Sequence, residues 1–160
     1  MNETKRNITA FEARTRLGEM LDQVRYTKNP CVIERHGKPV AVLQDFETYQ
    51  RDRLQLQFQA WLDDTVTKIK TNYQPEKIIL FGSAAAGELK EGSDIDLFIL
   101  KETSKRKLDR IDEVLEFLAP EIPIELHIYT PTEVAERVRL GDFFVKEILA
   151  KGKVLYERGS

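Results

Sequence analysis

Two short apolar runs, Ile78–Phe81 in "KIILF" and Leu97–Leu100 in "DIDLFIL", constrain this chain more than any other feature. Each is too short for a buried helix and too continuous for a half-exposed strand. Both therefore read as central strands covered on two faces. The second run opens with Asp94 and Asp96, where a buried sheet asks for Val or Ile. An unpaired carboxylate in such a place is costly, so two side by side call for a cation. Residues two apart on a strand share a face, with Cα atoms about 7 Å apart. Asp94 and Asp96 thus project together, while Ile95 and Leu97 face the core. Such a pair of oxygen donors suits a hard ion, Mg2+ or Mn2+.

The surrounding pattern is strand–helix alternation. "KRKLDRIDEVLEFL" predicts a helix with Leu108, Ile111, Leu115 and Leu118 inward, and "IPIELHIY" a third strand. On that strand Glu125 shares a face with His127 and Tyr129, so neighbouring strands would let Glu125 join the two aspartates. His127 reads as an ordinary polar neighbour. Thr130 and Glu133 form a capping box with Pro131 at the first helical position. "DFFVKEILA" is a further helix stopped by Gly152, and "KVLYE" a last extended piece. At the end of "KIILF", Gly82 lets backbone approach a ligand closely, and a helix opening at Ser83 would aim free N–H groups at a phosphate.

The first fifty residues are punctuated differently. Thr9 and Glu12 form a capping box that starts a helix through "AFEARTRL", and Gly18 is expected to break or bend it. "EMLDQVRY" follows as a second helix with Met20, Leu21 and Val24 on one face. "CVIER", the turn "HGK" and "PVAVL" read as a hairpin. Its apolar positions, Val32, Ile33, Val40, Val42 and Leu43, are monomer or dimer core. Asp45 is an N-cap for a long helix from about Phe46 to Tyr73. Leu54, Phe58, Trp61, Leu62, Val66, Ile69 and Tyr73 form its 3.6-period stripe. One rod, or two helices meeting near residue 52, would satisfy this pattern equally.

Charge excludes less than it suggests. Residues 1–50 carry eight Lys/Arg against seven Asp/Glu, and the remainder seventeen against twenty. Neither part is a basic tail, so DNA binding would need a local patch on a folded surface. No apolar run approaches the ~20 residues of a membrane span. The N-terminus lacks the apolar stretch of a signal peptide, so a cytoplasmic protein with no membrane partner is expected. Cys31 is the only cysteine, which excludes intramolecular disulfides, and it reads as a small buried apolar residue.

Gly82-Ser83, ten residues, Asp94-x-Asp96 and the later acid Glu125 together resemble the minimal nucleotidyltransferases of the DNA polymerase β-like superfamily. The likeness extends over residues 55–157, through "IYTPTEV" and "GKVLYE". It implies that Asp94, Asp96 and Glu125 are both catalytic residues and metal ligands. Gly82 and Ser83 would bind the nucleotide, and ATP or another nucleoside triphosphate would be the substrate. Close relatives often read G-S-R-A-R-G; here Ala84 and Ala86 stand in place of the arginines. The third acid is Glu rather than the commoner Asp.

Residues 7–50, through "A-F-E-A-R-T-R-L", "V-I-E-R-H-G-K-P-V-A-V-L" and "D-F-E-T-Y", resemble the Phd/YefM (prevent-host-death) antitoxins. That likeness implies a homodimer through this segment, bound to operator DNA, with Arg14 as the first contact and Arg16, Lys5 and Arg6 as further phosphate contacts.

The expected fold class is α+β. A small Phd/YefM-like αβ domain (1–51) is joined by a long helix to a polymerase β-like nucleotidyltransferase domain with a mixed sheet (52–160). The expected function is an antitoxin-like component of a toxin–antitoxin system. It would transfer a nucleoside monophosphate, AMP from ATP, to a partner such as a HEPN-type toxin. Two alternatives fit the same residues: a non-catalytic autorepressor that neutralises its partner by binding, and a nucleotidyltransferase toxin fused to its own inhibitor.

Overall fold

The computed structural model describes residues 6–87, 94–118, 120 and 122–159. Lys5 lies outside them. The chain forms two compact units, Met1–Leu56 and Gln57–Ser160.

In the first unit the Thr9 hydroxyl accepts from the Glu12 backbone N–H, and the Glu12 carboxylate accepts from that of Thr9. This capping box starts α1 (Ala10–Thr15), and α2 (Leu17–Thr27) follows. The break falls at Arg16 (φ −125°, ψ 25°), not at Gly18, which lies inside the first turn of α2. Strand β1 (Arg6–Thr9) runs parallel to β2 (Cys31–Arg35), a pairing invisible to local pattern. Strand β3 (Lys38–Leu43) returns antiparallel through His36 and Gly37, both at positive φ. A two-residue hairpin turn of type I′ requires that conformation.

The core of this unit is Ile8, Ala13, Met20, Val24 and the buried Cys31, with Ile33 and Leu43 against it. Leu21 is exposed, because Met20 and Val24, four apart, already fill the inward stripe of a short helix. Val40 and Val42 are also exposed and take no part in this core.

Asp45 caps the next helix, accepting from the backbone N–H and hydroxyl of Thr48 at 3.0 Å. Helix α3 is one continuous helix from Phe46 to Tyr73. In the second unit its Leu62, Ile69 and Tyr73 are buried, with Phe58, Trp61 and Val66 packed alongside; Leu54 is exposed.

The second unit is built on a mixed four-stranded sheet. Its strands are β4 (Lys77–Phe81), β5 (Ile95–Leu100), β6 (Ile124–Tyr129) and β7 (Lys153–Glu157), in the order β6-β5-β4-β7. Strands β5 and β6 are parallel and the other pairs antiparallel. Both faces of the central strands are covered, which is why their sequences are continuously apolar. Ile78, Leu80, Ile95, Leu97 and Ile99 pack with α3 and with Val114 and Leu118 of α5 (Lys107–Leu118). Ile79 and Phe98, on the opposite face, pack against Val134 of α6 (Pro131–Arg139) and Val145 and Ile148 of α7 (Phe143–Lys151).

Leu108 and Leu115 of α5 are exposed, contrary to the expected stripe. The inward positions are Ile111, Val114 and Leu118, and the preceding inward slot is held by Arg110. A single turn, α4 (Gly82–Ala85), follows β4. Among the described residues, no helix is long and apolar enough to cross a membrane.

Candidate active site

Strand β5 begins at Ile95, so Asp94 sits exposed just before it and only Asp96 lies within it. Asp96 faces the side of the sheet that carries Phe98, in register with Phe81 on β4 and Glu125 on β6. Neighbouring strands are about 4.8 Å apart, so Asp96 and Glu125 stand side by side. Along this face burial falls sharply. Phe98 is fully enclosed under α6 and α7, whereas the Glu125 side chain is 63% exposed. The acids therefore occupy the open end of a face whose other end is core.

The close approach of Gly82 shapes this end. Its φ is +69°, and a Cβ placed on it would fall on Oδ2 of Asp96, well inside van der Waals contact. Glycine is thus required twice, for backbone conformation and for the space the Asp96 carboxylate fills. Gly82→Ala is expected to cost about 1–3 kcal/mol. Denaturant unfolding reads this directly, and an unchanged midpoint and slope would show that neither the backbone conformation nor the Asp96 carboxylate demands glycine here.

Asp96 carries an electrostatic load. Desolvation pushes its carboxyl above the usual aspartate value; the charges of Glu125 and Asp94 push the same way, and His127 opposes them. Glu125 Oε1 lies 3.0 Å from His127 Nε2. His127 in turn packs edge-on to Phe81, ring centroids 5.4 Å apart, and against Phe144 at 5.2 Å. His127 is therefore the partner of Glu125, a role that its position two residues along the same strand could have signalled. Phe144 comes from α7, more than sixty residues beyond Gly82, and no local pattern linked them.

The structure thus brings Gly82, Asp96 and Glu125 together, leaves Asp94 at the strand's mouth, and places Ser83 exposed on α4. Among the described residues no three His, Cys, Asp or Glu side chains form a group able to hold a metal ion. The donor chemistry nonetheless suits a hard divalent cation: Asp94 and Asp96 offer only carboxylate oxygens, and Gly82 leaves Asp96 room.

The arginines of the first unit differ in availability. Arg16 is paired with Glu19 at 2.6 Å, and Arg6 donates to Gln23 at 2.8 Å. Arg14 lies over the Phe11 ring at 5.3 Å and, among the described residues, makes no ion pair.

The family "Polymerase beta, Nucleotidyltransferase" matches residues 64–160, and "Antitoxin Phd_YefM, type II toxin-antitoxin system" matches residues 5–52. A candidate nucleotidyltransferase from Sulfolobus solfataricus, known from its crystal structure, is similar at 17% identity and a TM-score of 0.48. The alignment covers 68% of this chain and 87% of that one. No curated protein matches. The chain belongs to the polymerase β nucleotidyltransferase family and carries a Phd/YefM antitoxin-type segment ahead of its nucleotidyltransferase part.

Proposed function

We propose that this protein is the antitoxin-like enzyme of a toxin–antitoxin pair, transferring AMP from ATP to a hydroxyl of its partner, a HEPN-type toxin. One observation carries the reading: a chain opening on an antitoxin segment also sets the Asp96 carboxylate against Gly82 and beside Glu125. In the transfer, the acceptor oxygen bonds to the α-phosphorus, the bond to the β-bridging oxygen breaks, and pyrophosphate leaves.

Asp94 and Asp96 would hold Mg2+ or Mn2+. The chemistry supplied by such an ion when bound is neutralisation of phosphate charge and polarisation of phosphoryl oxygens. Gly82 and Ser83 seat the phosphates at the end of β4. Glu125, oriented by His127, takes the proton of the attacking hydroxyl. The first unit dimerises through the exposed Val40 and Val42 edge and binds operator DNA, with Arg14 as leading contact. The domain division proposed is a DNA-binding and dimerisation part over 1–51 and a transferase over 52–160.

Incubation with α-labelled ATP, Mg2+ and the product of the adjacent gene is expected to label that protein. An unlabelled partner, under conditions where the chain still neutralises it, would replace enzyme by binding module. Gly82→Ala is expected to reduce labelling about 100-fold, since a misplacement near 1 Å costs that much. Mobility shift with an operator fragment checks the other half: Arg14→Ala should weaken binding, and equal retention would remove Arg14 from the interface.

A further inference from the structure

A cavity of about 430 Å3 opens at the Gly82 end of β4, walled by Phe81, Gly82 and Ala86 on one side and by Phe144 of α7 on the other. Its size lies within the roughly 300–1,000 Å3 of small-molecule sites. The walls are mostly apolar, and the Phe81 and Phe144 rings meet edge-on with centroids 5.6 Å apart. Two polar groups line it as well: Glu147 and Lys151, paired at 2.8 Å, both solvent-accessible. An aromatic-walled pocket with one acceptor and one donor fits a flat heteroaromatic ring with a hydrogen-bonding edge.

Gly82 ties this cavity to the chemistry, because the same residue that lines it lies against Asp96. A group held at Asp96 and a ring in the cavity are therefore neighbours, as the phosphate and base of one nucleotide are across a single ribose. The charges of the lining argue against a phosphate tail instead. One carboxylate beside one ammonium leaves no net positive charge for a polyanion.

We propose that this cavity seats the nucleobase of the nucleoside triphosphate. Phe144, 41% exposed, covers the ring, and Glu147 and Lys151 read its edge. The proposal rests on the transferase reading and extends it by assigning the subsite that selects the nucleotide.

Calorimetric titration of the full chain with ATP and, separately, with inorganic tripolyphosphate, both with Mg2+, tests this. Phe144→Ala is expected to weaken ATP binding about tenfold, the scale of losing one base–aromatic stack. Ala86→Trp, which fills the cavity from an exposed position, should do at least as much. Tripolyphosphate affinity should not change in either. Glu147→Gln or Lys151→Met should alter the preference between ATP and UTP.

ATP and tripolyphosphate weakening together would make the cavity a phosphate site and overturn the proposal. Unchanged ATP affinity in both variants would overturn it too; if labelling of the partner then fell, the ring in the cavity would belong to the acceptor. A wild-type chain that binds neither probe would sink the transferase reading itself, and the base subsite with it.

Discussion

Replacing Asp94 and Asp96 together by alanine is expected to lower labelling of the partner by at least about a thousandfold while leaving the fold intact. On the proposed reading the size follows from removing both oxygen donors for a divalent ion, worth several kcal/mol at about 1.4 kcal/mol per decade. Stability should survive because neither side chain holds the structure. Asp94 is exposed, and desolvation at Asp96 disfavours its charged form, so the change relieves rather than breaks an interaction. Thermal unfolding and circular dichroism check this arm and radiolabel transfer the other. Undiminished labelling would remove these aspartates from the chemistry. A double variant that no longer labels yet still protects cells would show neutralisation by contact.

The second large effect concerns the support of the site rather than the site. Arg110 on α5 is buried, its side chain 6% exposed, and reaches Glu133 at 2.7 and 3.2 Å. It also donates to the Lys105 carbonyl at 2.7 Å. Glu133 closes the capping box of α6 by accepting from the Thr130 N–H at 2.8 Å. Glu133→Ala leaves a buried guanidinium without its counter-charge and α6 without half its cap. The expected loss is about 3 kcal/mol, the low end for a broken buried pair, because Glu133 itself is 31% exposed. Arg110→Met with Glu133→Leu should recover most of it, since no charge is then stranded.

The pH dependence follows in sign. The hydrogen bond from Arg110 holds the Glu133 carboxyl below its ordinary value of 4.5, burial opposing. Its contribution is therefore complete above that value and is lost as pH falls through the lower, folded-state value. Stability of wild type relative to Glu133→Gln should shrink with acidification below about 4.5. Parallel profiles for the two proteins would exclude Glu133 as the titrating support.

Where a helix start is announced by a hydrogen bond between residues three apart, the sequence was sufficient. The Thr9/Glu12 and Thr130/Glu133 boxes and the Asp45 cap are local hydrogen bonds between near neighbours, and all three form. The buried strands were legible because covering a sheet on two faces leaves no polar alternation. Helix faces were less so. On α5 the leucines at 108 and 115 fit the period as well as Ile111 and Val114, and the helix instead buries Val114 and Leu118 in the core with Arg110 turned inward to Glu133. Strand β1 needed a parallel partner some twenty-five residues away.

The candidate site divides in the same way. Residue types and spacing singled out Gly82, Asp94, Asp96 and Glu125 as one candidate set, through their resemblance to the DNA polymerase β-like pattern. Only the tertiary structure decided that Asp96 lies on the Gly82 backbone, that His127 engages Glu125, and that α7 brings Phe144 and Lys151 to the same end of the sheet. Those juxtapositions depend on strand register and on where a helix packs. Both are set by burial of the whole core, so no window of sequence contains them.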